Sequence, residues 1–297
     1  MLERALVVSA ALAGAVFTAI GIVVRQRATM DVPDHQGVSA VMFSTLVRRP
    51  SWWLGTGAAV VGYGFQALAL AYGSIILVAP LLVSALLFAL PLSARMAGRR
   101  VRRSDWGWAL LLTVALAVFV ALARTRPGDY EGADRSAMLA ATGSAVVVLG
   151  CVVAAARRTD WCRGLLLAIG VGVLFGVVAL LTKIVMHAVT DGEPGSLFGS
   201  PLLYMLIAGA VVATLLQQSA FHAGSLQTSV PAMLVLEPIV AVMLGQFVLG
   251  EHLIVSGPRA VVLGFAVLAM AAATIALGRD EGAYEDDLEA ASRRPAG

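Results

Sequence analysis

The chain has 297 residues, 59% of them apolar and only 13% charged, with a mean hydropathy of +0.88. Soluble domains carry about 25% charged residues, so this composition excludes a soluble globular protein or a nucleic-acid-binding module and points to an integral membrane protein. A net charge of +3 says little until the arginines are placed, and two cysteines, Cys151 and Cys162, form neither a disulfide framework nor a ligand pattern.

A helix needs about 20 apolar residues to cross a bilayer. Runs of that kind fall at 5–24, 52–72, 75–97, 106–123, 136–156, 164–187, 202–223, 228–250 and 257–278. The first is read as a retained span, because Arg25, Gln26 and Arg27 follow where a cleaved signal would have small residues. Gly37–Val47 is apolar but short, which predicts an interfacial or partly inserted helix and adds a tenth span only if it crosses. In the sixth run, Gly172 and Gly176 have the spacing that lets helices approach closely. The tail, residues 279–297, is rich in Asp and Glu and reads as a disordered, solvated cytoplasmic end. The fold class is therefore all-α and polytopic, with nine spans and provision for a tenth.

Nine crossings put the termini on opposite sides. Fourteen arginines then share a side with the C-terminus: Arg25, Arg27, Arg48, Arg49, Arg99, Arg100, Arg102, Arg103, Arg157, Arg158, Arg163, Arg279, Arg293 and Arg294. Arg4, Arg124, Arg126 and Arg135 face the other way. Positive charge concentrates on the cytoplasmic side, so the N-terminus is expected outside and the C-terminus in the cytoplasm of a cell membrane.

A shift of 151 residues lays FQALALAYGSIILVAP (65–80) over LQQSAFHAGSLQTSVP (216–231) without a gap. It matches Gln66 with Gln217, Ala69 with Ala220, Gly73 with Gly224, Ser74 with Ser225 and Pro80 with Pro231. A nearly equal shift matches Gly14 with Gly172, Phe17 with Phe175 and Arg25 with Lys183. The expected organisation is a first repeat at 1–123, holding four spans and the short helix 37–47, a linking span within 124–163, and a second repeat of four spans at 164–278. An odd number of crossings separates equivalent helices, so the repeats run in opposite directions. Inverted repeats of this kind place a transporter's binding site near the bilayer midplane.

These blocks resemble the drug/metabolite transporter superfamily, in particular EamA-like bacterial members and those related to the NIPA-like magnesium transporters. The resemblance rests on VVRQRA (23–28), YGSIILVAPLLV (72–83), GVLFGVVALLTK (172–183), LLQQSAFHAGSLQTSVPA (215–232) and LEPIVAVMLGQFVLGE (236–251). It covers nearly the whole chain except the tail. Most members look like five-plus-five helix proteins; here the second helix of each half is missing or reduced.

Glu237 is the only carboxylate inside a spanning run, and Pro238 follows it. A charge there costs roughly 2.5–3.5 kcal/mol on insertion scales, so it is expected to be paired, protonated or facing a wet cavity. Lys183 is the only lysine beside twenty arginines. It reads either as a cation snorkelling to the interface or as a cavity cation balancing Glu237. Gln66 and Gln217 are expected as polar contacts in a central cavity, with hydrogen bonding between helices as their ordinary role. Pro80, Pro231 and Pro238 are expected to break helices and free carbonyls. Tyr72 and His222 read as interface anchors.

The four histidines are scattered and no phosphate-binding loop occurs, so no enzyme, catalytic residue, metal centre or cofactor is expected. The expectation is a secondary transporter moving a small metabolite or ion by alternating access, in contact with lipid and compatible with a homodimer. The alternatives are a NIPA-like magnesium or other divalent-cation transporter, a flippase for a lipid-linked substrate, and a non-transporting membrane scaffold.

Overall fold

A computed structural model describes residues 2–30, 50–96, 101–126, 128, 130, 132–158, 160–191, 199–223 and 226–292. The helices are α1 (Leu2–Met30), α2 (Pro50–Tyr72), α3 (Ile75–Leu82), α4 (Ala85–Met96), α5 (Arg103–Leu122), α6 (Ala133–Ala156), α7 (Asp160–Asp191), α8 (Pro201–Ala223), α9 (Leu226–Leu249) and α10 (Pro258–Ser292). Two short strands, β1 (Thr125–Arg126) and β2 (His252–Leu253), pair antiparallel. The apolar segment 37–47 lies outside the described residues.

Among the described residues, eight segments are long and apolar enough to cross a membrane, and α8 adds the shorter apolar stretch Pro201–Gln217. α2, α8 and α10 each open on proline, whose missing N–H is one the first turn leaves unpaired anyway. α5 starts with the Asp105 carboxylate accepting the Arg102 N–H at 3.1 Å. α10 continues to Ser292, so the tail is helical over 279–292 where its charge predicted disorder. Its Ala, Glu and Leu content supplies the propensity that a charge count misses.

Span 75–96 is two helices. The N–H groups of Val83 and Ser84 turn back three residues, to Pro80 O (3.2 Å) and Leu81 O (3.0 Å), so the α-ladder is interrupted there. Among the prolines expected to break helices, Pro80 sits just ahead of this interruption, whereas α9 runs unbroken through Pro231 and Pro238. Each proline removes one hydrogen bond, and a continuous helix absorbs that as a bend.

α1 packs on α2 through small residues. A Cβ on Gly14 would lie 3.2 Å from Gly62 O and Gln66 N, and one on Gly21 would lie 2.8 Å from Ala59 N. Phe17 and Phe65 stack across the same seam at 5.7 Å. α7 is the interior element, 72% of its spanning window being buried; it packs against α6, α8, α9 and α2. α6, with 11% buried, is the outermost and presents Leu139, Val146 and Leu149 outward.

The ends of several elements gather at one face. The Arg4 guanidinium of α1 donates to Val120 O and Ala123 O at the end of α5. β1 and β2 join the loops after α5 and α9, and Ile254 N donates to Arg124 O at 2.7 Å. Tyr130 and His187 stack at 3.5 Å. Asp134, Ile184, Val185 and Ser200–Leu202 line a cavity of about 270 Å³, which brings the starts of α6 and α8 to the upper part of α7.

Candidate functional site

α2 ends at Tyr72 and α3 begins at Ile75, leaving only Gly73 and Ser74 between two apolar helices. Such a tight junction exposes the last carbonyls of one helix and the first N–H groups of the next, which need partners when buried. The structure supplies a charge of the right sign to each. The Lys183 ammonium, on α7 and 5% exposed, donates to Leu70 O and Gly73 O, both at 2.6 Å. It sits at the negative end of the α2 dipole. Glu251, 1% exposed, accepts the Ser74 hydroxyl at 2.6 Å and the N–H groups of Ile75 (3.2 Å) and Ile76 (3.3 Å). It sits at the positive end of α3, where Ser74 also caps Ile76 N at 3.1 Å. The two charges act on one another across the turn.

Local sequence explains how Glu251 arrives there. Gly250 takes a left-handed conformation, φ 64°, which ends α9 and lets the Glu251 N–H reach back to Gly245 O at 3.1 Å. Gly245 has no side chain to block the approach; a Cβ there would stand 3.3 Å from Ile75 Cβ and 3.4 Å from Glu251 Oε2. Two turns before Leu70 on α2, Tyr63 meets Thr182, the neighbour of Lys183, at 2.7 Å. The single Thr182 proton goes to Val178 O at 2.7 Å, so Tyr63 is the donor.

Glu237 lies elsewhere. On α9 it shares a face with Met233, Ala241 and Gly245, all buried, while Ile239, Met243 and Phe247 point outward. This face abuts α7. A Cβ on Gly172 would lie 2.7 Å from Leu236 Cβ and 3.4 Å from Glu237 N, and one on Gly176 would lie 2.7 Å from Val240 Cβ. Glu237 is half-buried, and among the described residues its carboxylate has no hydrogen-bond or ion-pair partner. Gln66 and Gln217 are also half-buried, without a side-chain partner among the described residues. Gln66 lies against Gly14 of α1, and Gln217 is on α8 beside Leu216, which packs on Gly170 of α7.

Of the residues singled out from sequence, Lys183 is buried and is not bonded to Glu237. Its hydrogen bonds go to backbone carbonyls, and the nearby acid is Glu251, which sequence reasoning passed over because it stands just beyond the end of an apolar run. The signal available was an acid directly after a terminal glycine. Tyr72 is exposed, as an interface anchor would be; the side chain of His222 lies outside the described residues. Among the described residues no group of three His, Cys, Asp or Glu side chains is placed to hold a metal ion.

No protein-family model and no solved structure matches the chain. It is 38% identical over 280 residues to an uncharacterized protein of Corynebacterium glutamicum, covering 94% of this chain and 96% of that one. The chain belongs to the same family as that corynebacterial protein.

Proposed function

We propose that the chain is a secondary transporter of the cytoplasmic membrane that moves a small metabolite or ion by alternating access. The observation that carries the reading is Glu237: a carboxylate on the protein-facing side of a spanning helix, with no partner among the described residues. A polar group at that depth has to be answered by water, a proton or a bound molecule, and each of these requires a path into the protein. Gln66 and Gln217 add neutral polar contacts that a cargo would use.

The architecture fits. α8 starts at the face where α7 ends, and α9 returns to that face, so α8 is the ninth crossing beside the eight longer spans. The sequence repeat makes α7 the counterpart of α1, α8 of α2, α9 of α3–α4 and α10 of α5. The partners correspond: α1 packs on α2, α3 and α4, and α7 packs on α8 and α9. With the arginine-rich loops in the cytoplasm, the face carrying Arg4, Glu251 and the strand pair is extracellular. The divalent-cation alternative has less support, since such ions take several oxygen ligands and Glu237 stands alone.

Purified protein in proteoliposomes, screened against a library of labelled metabolites and cations, tests the reading. Glu237→Gln is expected to abolish coupled uptake while the protein stays monodisperse and keeps its thermal midpoint. Full complementation of a deletion strain by Glu237→Gln would reduce the chain to a scaffold.

A further inference from the structure

The two halves are joined unequally. Among the described residues, α10 packs on α5 and α4, α7 packs on α2 and α3, and α9 packs on α3. The repeat makes α1–α8 the counterpart of α7–α2, yet α1 and α8 share no comparable contact among the described residues. The polar links between halves lie at the extracellular face assigned above. Lys183 and Glu251, from the second half, hold both sides of the α2–α3 junction; Tyr63 meets Thr182; β1 pairs with β2.

We infer that the α2–α3 turn, clamped by Lys183 on its carbonyls and by Glu251 on its N–H groups and Ser74, is the gate that closes the chamber on this face. This rests on the transporter reading for the chamber, though the clamp can be tested without any cargo. Its chemistry suits a gate. Each contact joins a charge to a helix end, so contacts form together when the turn seats between α7 and the end of α9. They are lost together when it leaves, because Lys183 and Glu251 hold the same two-residue junction from its two sides. Two packed arrangements, rather than a continuum, are the expected result. Lys183 and Glu251 are therefore positioning residues that set the balance between closed and open states; they do not touch cargo.

The test places spin labels at two exposed positions on opposite sides of the gate, Tyr72→Cys and Ile254→Cys, with Cys151 and Cys162 replaced by serine. Pulsed dipolar spectroscopy on protein in nanodiscs then reads the distance. The labelled parent should give one short distance. Lys183→Met and Glu251→Gln should each add a longer population, and Lys183→Arg, which keeps the cation, should add less. Ser74→Ala removes one of three donors to Glu251 together with the cap on Ile76 N, so it should produce the same change in distance at smaller amplitude, with a fall in thermal midpoint from the lost cap. If all variants that fold keep the parent distance while their thermal midpoints fall, the clamp is a structural cap and the gate is refuted. If the long population appears but no solute is carried by any variant or the parent, the gate stands and the transporter reading fails.

Discussion

Gly172→Ala adds one methyl group at the seam between α7 and α9, and its effect can be worked out from the contacts. The new Cβ would lie 2.7 Å from Leu236 Cβ, 3.3 Å from Leu236 Cδ2 and 3.4 Å from Glu237 N. Carbon atoms pack at about 3.5–4.0 Å, so the helices must part by roughly 1 Å, and overpacking of this kind costs about 1–3 kcal/mol. The same substitution at Gly143 on α6 meets nothing within 4 Å and should gain the ~0.5–1 kcal/mol that alanine offers over glycine in a helix. Thermal unfolding of the detergent-purified variants, followed by tryptophan fluorescence, should therefore move in opposite directions for one chemical change. A second substitution locates the clash. Leu236→Ala keeps the offending Cβ and should not rescue Gly172→Ala, whereas Leu236→Gly removes it and should, with a coupling of about 0.5–3 kcal/mol. A neutral Gly172→Ala, or equal rescue by both Leu236 variants, would refute the seam.

Two further substitutions probe single polar groups. Ser84 is 1% exposed and its hydroxyl has no hydrogen-bond partner among the described residues at the α3–α4 interruption. An unsatisfied buried hydroxyl costs about 1–3 kcal/mol, so Ser84→Ala should be neutral or stabilising in the same unfolding assay; a clear loss would mean that the hydroxyl has a partner. Tyr63→Phe should cost about 0.5–1.5 kcal/mol, because Thr182 keeps its bond to Val178 O; a cost above roughly 3 kcal/mol, twice the usual upper value, would show that the phenol bonds more than Thr182.

The helices were legible because hydropathy is a property of contiguous residues. Among the described residues eight of the nine runs correspond to helices long and apolar enough to cross a membrane, the run at 202–223 corresponds to a helix with a shorter apolar stretch, and the Gly172–Gly176 spacing marks a close helix seam. What escaped is non-local or leaves no mark in side-chain chemistry. Lys183 bonds to carbonyls of Leu70 and Gly73, and every residue has a carbonyl, so nothing in the sequence identifies them as partners. Glu251 meets Ser74 across 177 positions of chain, beyond any helical or strand period. Its place after Gly250 looked like an ordinary loop start. The interruption at Val83–Ser84 lay inside a run whose only warning was Pro80. For Glu237 its rarity inside a long apolar run was legible, while the side of α9 it occupies follows from packing of Met233 and Ala241.

A single lysine among twenty arginines makes sense at this junction. The ammonium is a compact point charge with three donors, able to sit between two carbonyls at 2.6 Å, whereas a planar guanidinium spreads its donors over a wider fork. Committing that cation to the end of α2, with Glu251 as its electrostatic counterweight, has a consequence for the interior. The hydrogen bonds of Lys183 go to carbonyls at the end of α2 and not to Glu237, so in the proposed carrier the two acids would divide the work: Glu251 balances a fixed cation within the protein, and Glu237 is left for a proton or a cargo. In a carrier that separation is useful. In the proposed carrier, a gate built on charges already bonded to the backbone would open and close without competing for the ligand, and an acid with no partner among the described residues would bind what enters rather than its own protein.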